Sequence, residues 1–197
     1  MSTSNHTLKT IVFLFVAALL GATLFVYSGV YNMGADAPHW RPVFALMELF
    51  RDRSIAAHAR GIEIPPLDTP ELIAEGAEHY AAMCSGCHLA PGKGNSEIRA
   101  GLYPQPPNLS MRTLADPAEA FWVIKHGIKM TAMPAWGASH DDTAIWGLVA
   151  FIDKLPSLSE AQYVTITGGV QPLEHHHHGD TGEGAHASEG AMRNASP

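Results

Sequence analysis

The chain has 197 residues, a formal charge of −7 and two cysteines, which leaves room for one ordinary domain plus attachments. The acidic balance, with no run of lysine and arginine, excludes a surface built to follow a phosphate backbone. Nucleic-acid binding is therefore not expected.

Residues 1–10 precede IVFLFVAALLGATLFVYSGV, residues 11–30, which contains no charged side chain. As a helix this run would span roughly 30 Å, the thickness of a bilayer's hydrocarbon core. It is longer than the apolar part of a cleaved signal peptide. Ala35-Asp36-Ala37 resembles a cleavage site, but cutting there would leave Pro38 first, so an uncleaved transmembrane anchor is expected. Lys9 stands before the span and Asp36 is the first charge after it. That bias puts residues 1–10 in the cytoplasm and the chain from about residue 32 onward in the periplasm.

Residues 31–66 read as a periplasmic stalk. A helix is expected over about 42–60, starting near Pro42, with Val43, Met47 and Phe50 approximating an apolar side and Phe44 and Ile55 nearby. It would either pack on the following domain or lie on a membrane or partner. IPPLDTP, residues 64–70, breaks the pattern and forms a linker.

The main domain is expected over 67–165. Thr69, Pro70 and Glu71 form a helix start that delivers the chain to Cys84. PGKGNS and GLYPQPPNLS are too rich in glycine and proline for regular structure. A short helix over DPAEAFWVIKHG, capped by Asp116, is followed by the loop IKMTAMPAWGASH. In the helix DDTAIWGLVAFIDKL, Ile145, Leu148, Val149 and Ile152 recur at helical spacing before Pro156 ends the pattern. There is no strand alternation, so the fold class is all-α. Residues 166–197 hold almost no large apolar side chain and are expected to be a disordered, His-rich tail. There His175, His176, His177 and His178, with His186 nearby, would bind copper, zinc or nickel through imidazole, or simply remain solvated.

Both cysteines lie in MCSGCHLAPG, residues 83–92. A Cys84–Cys87 disulfide or a thioredoxin-like dithiol leaves His88 unexplained, and the latter expects a β-α-β surround. Zinc would need two further ligands at comparable spacing. C-x-x-C-H is the attachment signature of a c-type haem: Cys84 and Cys87 form thioethers to the vinyl groups and His88 becomes the proximal iron ligand. A protein ligand on the opposite face favours electron transfer, and an open position favours small-molecule chemistry. Met133, stiffened by Pro134, is the distal choice, with Met130 and His126 as rivals. Each methionine has core packing as its ordinary alternative.

Taken in order, GAEHY, CSGCH, PPNL, KHGI, MPAWG and IWGLVAFIDKLP, between about Thr69 and Tyr163, resemble a class I c-type cytochrome with a single haem. The resemblance covers about half the chain. It implies a helical fold, preceded here by the transmembrane helix, whose first and last domain helices cross beside the haem. It also implies His88 and Met133 as axial ligands, and Gly76 and Tyr80 meeting Trp146 or Phe151. Further implications are a Pro91 carbonyl that accepts the His88 Nδ1 hydrogen and a PPNL stretch against the haem face. It says nothing about residues before 64.

Trp122, Trp136 and Trp146 are expected as an apolar wall of the haem rather than an electron path. Residues 68–170 hold eleven acidic and six basic residues, which would steer a basic partner; Lys125 and Lys129 flank the Met133 loop. The expected function is a membrane-anchored carrier of single electrons, not an enzyme, at the outer face of a bacterial inner membrane. Its partners would be a redox donor and acceptor. A fixed haem subunit of a larger oxidoreductase is the alternative, and a haem catalyst or sensor with an open sixth position ranks below it.

Overall fold

The computed structural model describes residues 2–169, and among these every regular element is helical. His175, His176, His177 and His178 lie outside the described residues. Helix α1 (Ser2–Ser28) contains a segment, Asn5–Ser28, with mean hydropathy 2.4 and none of it buried. It is long and apolar enough to cross a bilayer and fits an anchor. The helix begins before the apolar run, since adding residues to a formed helix is far easier than nucleating one. Gly29, at φ +63°, stops it in the left-handed conformation glycine takes beyond a helix end.

Helix α2 (Arg41–His58) matches the expected stalk helix, with Pro42 in its first turn. The ring of Trp40, just before it, lies 6.0 Å from Phe25 and 5.0 Å from Tyr31, which ties the end of α1 to the start of α2. One face of α2 packs on the domain, where Ile55 and the following Ala59 are buried. The opposite face leaves Leu46, Leu49 and Phe50 exposed.

Helix α3 (Pro70–His79) starts at Thr69, whose backbone takes the extended cap conformation although its side chain makes no cap bond. Pro70 presets the helical φ, and the carboxylate of Glu71 faces the helix dipole. The chain continues through a π-helical turn, Tyr80–Cys84, into helix α4 (Ser85–His88) and the short α5 (Glu97–Ala100). Helix α6 (Pro117–His126) is capped by the Asp116 carboxylate, which accepts from the Ala118 and Glu119 amides. Helix α7 (Asp142–Lys154) is capped by Asp141, which accepts from Ala144. Helix α8 (Glu160–Ile166) has no counterpart among the expected elements. Its signal was the Ser159–Gln162 capping box, where each side chain satisfies the other residue's amide. The Thr167 hydroxyl, buried and donating to the Tyr163 carbonyl at 2.8 Å, carries the packed structure past residue 166, where the tail was expected to begin.

Helices α3 and α7 cross with their backbones in contact. A Cβ placed on Gly76 would lie 1.9 Å from the carbonyl oxygen of Gly147, so only glycine permits the crossing. Around it Ala77, Tyr80, Leu148 and Phe151 are fully buried. Tyr80 meets Phe151 at 5.3 Å, whereas Trp146 stacks on Phe121 at 4.2 Å. Of the two aromatics expected on the last helix, Phe151 makes the contact. The crossing fixes where α3 ends and so where Cys84, Cys87 and His88 stand.

Candidate functional site

Tyr80 opens the π-helical turn, and Cys84 closes it; Cys87 and His88 sit on α4. The Ser85 hydroxyl donates to the Ala81 carbonyl at 2.8 Å and locks the two segments together. Directly after His88 the chain turns through Leu89 at φ +65°, a conformation that costs a residue with a side chain of order 1–3 kcal/mol. Two features hold it there. The Leu89 side chain is buried, and the Tyr80 hydroxyl donates to the Leu89 carbonyl at 2.7 Å. Burial pushes the Tyr80 phenol well above its usual pKa, which keeps it protonated and able to donate.

The His88 Nδ1 lies 3.0 Å from the Pro107 carbonyl. A carbonyl only accepts, so Nδ1 carries the hydrogen and Nε2 keeps its lone pair for a metal. The acceptor expected from the resemblance was Pro91, and the structure corrects it. The turn at Leu89 redirects the chain before Pro91. Arg99 Nε meanwhile donates to the Pro106 carbonyl at 3.0 Å and fixes the segment that presents Pro107. Burial lowers the His88 pKa, the Pro107 bond opposes that shift, and the charge of Arg99 adds to it. The neutral imidazole is the form that can ligate a metal.

Cys84, Cys87, His88 and Met133 all line one cavity of about 400 Å³. Its wall is largely apolar, with Pro106, Pro107, Leu109, Val123, Ile128 and Ile152 among the lining residues, so the PPNL segment lies on the cavity. The Met133 loop is braced internally. The Ile128 amide donates to the Met133 carbonyl at 3.2 Å, and the Met133 amide donates to Thr131 Oγ1 at 3.1 Å. Gly127, at φ +66°, would place a Cβ 2.7 Å from the Met133 carbonyl, so the loop closes against a position only glycine can fill. The rivals lie elsewhere: Met130 is 74% exposed, and His126 is exposed, with its ring beside Trp122 at 5.0 Å.

Of the three tryptophans expected as a wall, Trp136 alone lines the cavity. Trp146 belongs to the core, and Trp122 faces His58 of α2 at 5.4 Å. Both fall on α-helical positions that turn away from the cavity, a direction that composition does not encode. Sequence reasoning also missed two lining residues outside the domain, Arg51 and Ile55. Their spacing of four on α2 was the available signal.

The donor set fits a covalently attached haem. Burial pushes the Cys84 thiol up to about 12 and raises Cys87 as well, which argues against a reactive dithiol, since that chemistry needs a depressed pKa. Among the described residues no group of three or more His, Cys, Asp or Glu side chains converges as a metal site, which disfavours structural zinc. Haem attachment instead needs two thiols facing an apolar cavity, and iron ligation needs an imidazole beside them, as found here.

No curated protein matches the chain. A family model described as cytochrome c oxidase, cbb3-type, subunit III matches residues 71–152. The match begins one residue into α3 and ends within α7, so it takes in both crossing helices, the cysteine motif and the Met133 loop. The family match and the residues that line the cavity together support a c-type cytochrome domain over residues 71–152.

Proposed function

We propose that this chain is a membrane-anchored, single-haem cytochrome c that carries single electrons between redox partners in the periplasm, with His88 and Met133 as axial ligands. The observation that supports it best is the convergence of both thiols, the imidazole and the thioether on one apolar cavity. The chain has two cysteines, both in one motif, hence one haem. Bound haem supplies a one-electron ferric–ferrous couple. Cys84 and Cys87 tether it and fix its orientation, and the hydrogen bond from His88 Nδ1 to Pro107 aims Nε2 and raises its basicity. The loop backed by Gly127 would offer the Met133 thioether to the iron as its second protein ligand. The apolar wall excludes water and, with a thioether ligand, favours the ferrous state.

The excess of acidic residues in the domain steers a basic partner surface towards it, with association that weakens as salt rises. Lys9, ahead of the apolar run within α1, and Asp36 beyond the helix favour an orientation with the domain on the outer face of a bacterial inner membrane. A second reading, a fixed haem subunit of an oxidase complex, draws on the description of the matching family model and on the exposed Leu46, Leu49 and Phe50. An intact complex recovered in mild detergent would favour it over the free carrier.

The test is the optical spectrum of the holoprotein. Wild type should show the weak long-wavelength band of thioether-bound ferric haem, and Met133→Ala should lose it and lower the potential. A Met133→Ala spectrum and potential equal to wild type would remove Met133 from the iron. Ready binding of carbon monoxide by reduced wild type would instead mark an open site, for catalysis or sensing.

A further inference from the structure

The cytochrome domain begins at residue 71, yet part of its cavity is built by α2, which ends at His58. Arg51 and Ile55, one helical turn apart, both line the cavity. The segment around α2 also touches the domain before and after these two residues. On one side Phe44 stands 6.0 Å from Tyr103, and the His39 amide donates to the Tyr103 hydroxyl at 3.3 Å. Tyr103 precedes the lining residues Pro104 and Gln105. On the other side His58 faces Trp122 of α6.

The charges on the cavity are unequal. Two carboxylates, Asp116 and Glu119, reach its wall, and Arg51 is the one lysine or arginine among the lining residues described. Asp116 is already committed to capping α6. Arg51 Nε donates to Asp52 at 2.8 Å and Nη2 to Glu48 at 3.3 Å, and both carboxylates are largely exposed, at 63% and 42%. Pairs so open to water contribute little binding. What they provide is orientation of a flat fork whose Nη1 has no hydrogen-bond partner among the described residues.

A haem brings two carboxylates of its own. Anionic groups beside an apolar, low-dielectric wall need a charged partner, and a guanidinium binds a carboxylate through two parallel hydrogen bonds.

We infer that α2 is a wall of the haem site rather than a passive stalk, and that Arg51 is a positioning residue that holds a haem carboxylate. The inference rests on the haem reading of the cavity. It makes the segment before the cytochrome domain part of the redox centre, because the charge of Arg51 opposes the extra positive charge of ferric iron and raises the potential. Ile55 closes the same edge against water.

The experiment is the reduction potential of the full-length holoprotein in detergent, for wild type, Arg51→Lys and Arg51→Met. Methionine keeps an unbranched apolar stem and removes the charge, while lysine keeps the charge and removes the fork. At a fixed solution potential Arg51→Met should raise the ferric-to-ferrous ratio about tenfold, the scale of one charge acting across a cavity at an effective dielectric of about 20. Arg51→Lys should recover most of that loss, and the axial-ligand spectrum should be unchanged in both. Equal potentials in wild type and Arg51→Met, or equal losses in the methionine and lysine variants, would overturn the role of the charge. If the methionine variant fails to accumulate, Arg51→Gln takes its place as the neutral side chain. Covalent haem, read by mass on wild type, reports separately on the underlying reading: its absence would sink both, whereas attached haem with an unmoved potential would sink Arg51 alone.

Discussion

Replacing Gly76 by alanine puts a methyl group 1.9 Å from the carbonyl oxygen of Gly147. A carbon and a carbonyl oxygen normally approach no closer than about 3.3 Å, so α3 and α7 must separate by more than an ångström or α7 must shift along its axis. Neither backbone can yield as a side-chain tip would. Separation would loosen the contacts of Ala77, Tyr80, Leu148 and Phe151, all fully buried. Overpacking a core usually costs about 1–3 kcal/mol, and a backbone clash belongs at or above the top of that range. Alanine's better helix propensity returns only ~1 kcal/mol. The expected net loss is about 2–4 kcal/mol, which for a domain of this size lowers the melting temperature by roughly 10–20 °C. The control is Gly86→Ala, since nothing stands within 4 Å of a Cβ there; it should melt within about 3 °C of wild type. Thermal melting of the holoproteins, followed by circular dichroism, decides. If Gly76→Ala melts no lower than Gly86→Ala, the backbone contact does not exist and the placement of the cysteine motif has another cause.

Tyr80→Phe leaves the buried Leu89 carbonyl without its donor, an expected loss of about 1–3 kcal/mol in denaturant titration; an unchanged midpoint would refute the pin after His88. Burial raises the pKa values of Tyr80 and Tyr163, so the unfolded chain loses these protons first. Stability is then full below about pH 10 and falls as pH rises beyond it, at most ~1.4 kcal/mol per pH unit for each tyrosine. Tyr80→Phe should make that alkaline slope shallower, and an equally steep slope would show that Tyr80 does not contribute. Met130 holds φ +60° while its side chain is exposed. Met130→Gly should therefore leave stability unchanged or raise it by about 1 kcal/mol and leave the haem spectrum intact; loss of the long-wavelength band would move the axial ligand to Met130.

The sequence by itself determined what is local. Twenty uncharged residues mark a segment long and apolar enough to span a bilayer, and a short covalent spacing marks Cys84, Cys87 and His88. Capping chemistry at Asp116, where side chain and amide stand only a few residues apart, locates α6, and the helical spacing of Ile145, Leu148, Val149 and Ile152 locates α7. The tertiary structure decided what depends on direction and distance between remote segments. Pro107 rather than Pro91 faces His88, because the left-handed turn at Leu89 and the hold of Arg99 on Pro106 set which carbonyl points inward. Phe151 rather than Trp146 meets Tyr80, because the Gly76–Gly147 contact fixes the rotation of α7. Met133 lies on the cavity and Met130 outside it, although three positions apart, because the loop closes back on Gly127. Arg51 reaches that cavity from outside the domain for the same reason: a helix can bring to a site a residue distant in sequence, and only packing says which face it turns inward.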